Sequence, residues 1–74
     1  MATVTGASPV TFISEDTEPG TQFQIPLALL TVSSGVVDAS GWTPPEALKT
    51  NDTAILKNLL ADLLARGVIA PAPA

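Results

Sequence analysis

The chain has 74 residues, of which 46% are hydrophobic and only 14% charged, with seven prolines, five glycines and no cysteine, histidine or tyrosine. One small domain is the most this length allows, and a core of that size supplies no more than about 3–5 kcal/mol on its own. Disulfides and Cys/His metal centres are excluded, and three Lys+Arg against seven Asp+Glu, a net charge of −4, leave no basic cluster for nucleic acid or an anionic membrane surface. So little charge leaves the surface poorly covered, which points to association with other chains.

Residues 1–8, Met1 to Ser8, are small and polar without periodicity and read as a flexible or partner-bound arm ahead of a domain over 9–70. Val10-Thr11-Phe12-Ile13 and the alternating Phe23, Ile25 and Leu27 predict two strands, near 9–14 and 21–32. The acidic stretch Ser14 to Gly20 joins them as a long-looped hairpin, and Pro26 places the second strand at an edge or breaks it. Ser33-Ser34-Gly35 turns the chain into a short extended piece, Val36-Val37-Asp38. Thr43-Pro44 can start a short helical turn. Asn51 or Asp52 caps a helix near 52–66 that ends at Gly67, with Ile55, Leu56, Leu59, Leu60, Leu63 and Leu64 recurring at three- and four-residue spacing. Residues 71–74 form a Pro/Ala tail. The fold class expected is α+β: short antiparallel strands in a hairpin, then a C-terminal amphipathic helix, with a core completed by oligomerisation.

No arrangement of nucleophile and base, no Gly-rich phosphate loop and no metal-ligand spacing is visible, so neither catalytic residues nor a cofactor is expected. Glu15, Asp16 and Glu18 place three carboxylates within four residues, but without the alternating spacing of a calcium loop they read as a solvated acidic turn. Such a turn can meet basic residues of a neighbouring subunit. Trp42, Phe12 and Phe23 are the chain's three aromatics and are expected to fill the junction between strands and helix; a tryptophan after a Ser-Gly turn can also stack on a sugar or partner. Six large aliphatics in residues 55–64 exceed what a few short strands cover, so Ile55, Leu56, Leu59, Leu60, Leu63 and Leu64, with Val68 and Ile69 beyond the helix, are read as an oligomer seam.

The segments Phe23-Gln24-Ile25-Pro26-Leu27, Val36 to Trp42 and Leu56 to Ile69 follow one another in an order that resembles the small virion proteins of tailed bacteriophages, the head decoration (cement) and head-fibre-base proteins. The resemblance implies a three-fold or otherwise symmetric homo-oligomer, a trimer in the first place, on the capsid exterior of the virion, made in the bacterial cytoplasm. Its partner would be the major capsid protein, touched through the arm and through Glu15, Asp16 and Glu18. The chain lacks the distal domain of the longer fibre proteins, which favours cementing over receptor binding. Two other readings stand beside it: a small acidic regulatory or inhibitory module that lays its leucine helix in a groove of a host protein, and a tail or neck component of a virion.

Overall fold

A computed structural model describes residues 2–72. The architecture is α+β: six short strands, β1 (Ala2–Gly6), β2 (Val10–Ile13), β3 (Gln22–Ile25), β4 (Thr31–Ser33), β5 (Val36–Asp38) and β6 (Ile69–Pro71), with one helix, α1 (Thr50–Arg66), inserted before the last. Antiparallel pairing builds a four-stranded sheet in the order β5-β4-β1-β6 and a separate two-stranded hairpin of β2 and β3.

The hairpin follows directly from its alternation. Val10 and Phe12 on β2, and Phe23 and Ile25 on β3, point inward and are buried, whereas Thr11, Ile13, Gln22 and Gln24 point out. Its register pairs Phe12 with Phe23, so the two large rings meet at a centroid distance of 6.1 Å. The expected strand 21–32 is two strands in the structure. Pro26, which has no N–H for a ladder, ends β3, a 3-10 turn over Leu27–Leu29 follows, and β4 starts in another sheet. Ser34 and Gly35 then join β4 to β5 with φ of 52° and 75°, the two positive values that characterise a type I′ hairpin turn.

The N-terminus departs from expectation. Residues 2–6 are not an arm: β1 lies inside the sheet, pairing Ala2 and Thr3 with β4 and Val4, Thr5 and Gly6 with β6. The physical reason is that Thr3, Val4 and Thr5 are β-branched and favour a pleated surface, and one buried side chain, Val4, anchors the strand while the threonines face outward. Of the expected tail over 71–74, residues 71 and 72 are likewise drawn in, and residues 73–74 lie outside the described residues. Residues 69–71 form β6, and the Ala72 N–H donates to the Thr3 carbonyl at 2.9 Å. Residues 43–49 contain no helical turn, since Pro45 disfavours helical geometry at Pro44.

Helix α1 runs close to its expected span and ends as its sequence demands. Gly67 adopts φ 76°, its N–H bonds back to Leu64 and the Val68 N–H to Leu63, which is the paired closure of a Schellman motif. Leu56 and Leu60 reach the core together with Leu30, Val32, Val37 and Ile69. Gly6 sits where β1 turns against the start of β6 with φ +137°, and a Cβ there would overlap the Val68 carbonyl oxygen and lie 2.9 Å from the Ile69 Cα. Gly6→Ala is therefore expected to cost at least about 2 kcal/mol, read as a lowered urea midpoint. Ser34→Asn, which suits the left-handed turn better, should stabilise the fold by up to about 1 kcal/mol, read as a raised urea midpoint.

Candidate functional site

The most concentrated polar chemistry of the molecule lies where the β2–β3 loop meets the first turn of α1. Asp52, the third residue of the helix, is fully buried. Its Oδ2 accepts from the Ser14 hydroxyl at 2.6 Å and from the Thr17 N–H at 2.8 Å, and its Oδ1 from the N–H groups of Glu15 and Asp16 at 3.0 and 3.1 Å. Three successive backbone donors thus converge on one carboxylate, an anion-binding concavity filled by the chain's own side chain. The exchange runs both ways. The Thr17 hydroxyl accepts the N–H of Lys49, the residue that caps the helix, at 2.8 Å, and the Ser14 hydroxyl also accepts from the Glu18 N–H at 2.9 Å.

Asp52 does not cap the helix as its sequence position suggests. The helix starts two residues earlier, and the carboxylate reaches across to the loop. Burial by itself would raise its pKa, but the bonds from the Ser14 hydroxyl and from the Glu15 and Thr17 N–H groups outweigh that and hold its carboxyl well below the usual carboxylate range. The positive end of the helix acts in the same direction. A carboxylate so stabilised is a poor base, and Ser14 beside it is buried, so this pair holds the loop rather than offering a nucleophile to a substrate.

The residues singled out from sequence fall into three groups. Phe12, Phe23 and Trp42 meet: the Trp42 ring stands edge-on to both phenylalanines at 6.3 and 5.9 Å, with Phe12 and Phe23 buried and Trp42 half-buried at the rim. Glu15, Asp16 and Glu18 do sit on the hairpin tip, with the carboxylate-bearing Glu15 and Asp16 exposed while their backbone is fastened to Asp52. Among the described residues no group of acidic side chains could hold a metal ion. The proposed seam divides. Leu56, Leu60 and Ile69 are buried in the chain's own core and are not available to a partner: the two leucines lie against the four-stranded sheet, and Ile69 is a buried member of its strand β6. Ile55, Leu59, Leu63 and Leu64 are half-buried beside that core, and Val68 is 39% exposed.

Sequence reasoning missed a further feature. A groove of about 420 Å³ lies between the edge strand β5 and α1, with Val37, Leu56 and Leu60 among its apolar lining and Asp38 and Lys57 also contributing. Finding it required knowing that β5 is the outermost strand and that α1 packs beside it, neither of which local pattern discloses. No helix among the described residues is long and apolar enough to cross a membrane. The chain matches no protein-family model, no curated protein and no solved structure.

Because the folded state lowers the Asp52 pKa, its contribution to stability is present above the ordinary aspartate value of about 3.9 and is lost as pH falls from there toward the folded value. Thermal melts between about pH 4 and about pH 2 should show a falling Tm for the native chain and a flatter profile, from a lower starting point, for Asp52→Asn. Hydrogen exchange should report the same change locally, with the Glu15, Asp16 and Thr17 amides losing protection in the variant.

Proposed function

We propose that this chain is a non-catalytic assembly protein and, on the resemblance drawn from its sequence, a decoration subunit that cements the capsid surface of a tailed phage through the major capsid protein and copies of itself. The observation that supports an assembly role is the division of the leucine stripe. One row, Leu56 and Leu60, is spent on the intramolecular core, and a second, Ile55, Leu59 and Leu63, is left half-covered in a chain with few charges to mask it. The acidic tip fits the same role. Its backbone is already ordered by Asp52, so Glu15, Asp16 and Glu18 can engage a basic surface with little further loss of chain entropy. The N-terminal residues take no part in this reading, since β1 is held between two strands.

Quantitative mass spectrometry of particles purified from the cells that make the chain tests the assignment: an abundance close to that of the major capsid protein is the expected result. Absence from particles combined with one-to-one binding to a soluble protein would overturn it in favour of the acidic inhibitor. If attachment holds, replacing Glu15, Asp16 and Glu18 by their amides should weaken it and flatten its salt dependence, because rim charges are screened over about 8 Å at physiological ionic strength. The melting temperature should change little, since the Asp52 network uses the backbone rather than the side chains of these three residues.

A further inference from the structure

We infer that the outer edge of β5, with the groove beside it, is a self-pairing surface on which a second copy of this chain docks its own β5 antiparallel, joining two four-stranded sheets about a two-fold axis. The inference rests on the self-association part of the reading above and not on the capsid assignment.

β5 is the end strand of its sheet and carries Val36, which at 62% exposure is the most exposed large hydrophobic residue among the described residues. In a two-residue hairpin the pair flanking the turn, here Ser33 and Val36, exchanges hydrogen bonds, so the next residue, Val37, directs its backbone groups away from β4 toward the open edge. Among the described residues no turn or loop hydrogen bond uses them. The opposite edge of the sheet is not equivalent. β6 ends at Pro71, which has no N–H to offer an added strand. Ile13, exposed at 51%, lies on the outer face of the hairpin and outside the groove lining.

Charge selects a second copy as the occupant. Asp38 and Lys57 both line the groove, one on the strand and one on the helix, and neither is paired: the ion pair among the described residues joins Arg66 to Asp62. A surface bearing one unpaired anion and one unpaired cation is complementary to itself under a two-fold rotation, which brings Lys57 of each copy toward Asp38 of the other. The same charges restrict the register. A centre on Asp38 would set two carboxylates directly opposite, so the axis passes through Val37, whose outward backbone groups bond to those of the same residue in the copy, and Val36 of each chain stands opposite Asp38 of the other. With only three residues in each strand the ladder is short, and the apolar groove wall has to supply part of the affinity.

Sedimentation velocity of the full chain at about 10 μM and about 300 μM brackets the weak association expected of a short pairing. The native chain should shift from monomer toward dimer across that range. Val36→Lys places a charge on the edge and should weaken dimerisation at least about tenfold. Its circular dichroism and Tm should be unchanged, since Val36 is not in the core. Lys57→Glu should weaken the dimer, and the exchanged pair Lys57→Glu/Asp38→Lys should restore it. A chain that stays monomeric at both concentrations overturns the inference, as does a dimer indifferent to Val36→Lys and to the charge exchange. Neither result depends on whether the protein is found on phage particles.

Discussion

A single carboxylate organises the junction on which the rest of the molecule depends. The β2–β3 connection, Ser14 to Thr21, is eight residues long and has few apolar side chains with which to order itself, and α1 begins on a lysine whose side chain makes no capping bond. Asp52 resolves both problems at once. Its two oxygens take four donors from the loop, and the loop's Thr17 hydroxyl returns an acceptor to the helix cap. A helix start needs acceptors for its free N–H groups, and a tight loop needs acceptors for donors turned inward. Here each supplies the other, so the hairpin and the helix are tied together without a disulfide or a metal.

The second constraint is closure of the sheet by the two ends of the chain. β1 is laid between β4 and β6, so its pairing is completed only by the residues that follow α1. Gly6 permits that meeting, because the backbone of Val68 and Ile69 occupies the place a side chain would take. The Schellman closure at Gly67 aims the chain back toward β1 within two residues of the helix end. Helix termination and sheet completion are therefore one event, and Ile69, fully buried, is the side chain that seals it.

Legibility in the sequence follows the range of the interactions. The helix, its terminating glycine, the β2–β3 hairpin and the Ser34-Gly35 turn are written in neighbouring residues, as is the meeting of Phe12 and Phe23 on facing strands. What local pattern misreads is whatever depends on a distant partner. Thr3-Val4-Thr5 looks like an unpatterned arm until β4 and β6 stand on either side of it. Asp52 looks like a cap because nothing in its own segment shows that the amides of residues 15–17 are turned toward it. The stripe of aliphatics is readable as a face, but its division into a buried and a half-buried row is set by the width of the sheet beneath it.

That division governs what kind of association the chain can make. Had the whole stripe been free, the monomer would expose a continuous apolar face and would exist only as part of a bundle. With Leu56, Leu60 and Ile69 turned inward, the isolated chain retains a core of its own, and the apolar surface that remains is discontinuous: a half-covered row on the helix, Val68 beyond it, Val36 on the sheet edge and Ile13 on the outer face of the hairpin. Surfaces of that kind give contacts that are weak singly and add up only when several are engaged together, as on a repeating scaffold that presents many copies side by side. The loop held by Asp52 contributes order in the same sense, since a tip whose backbone is fixed before binding loses little freedom on binding. On the proposed reading, association built from small, pre-ordered patches would let the chain fold before it assembles, so that folding and attachment would respond separately to the same substitution.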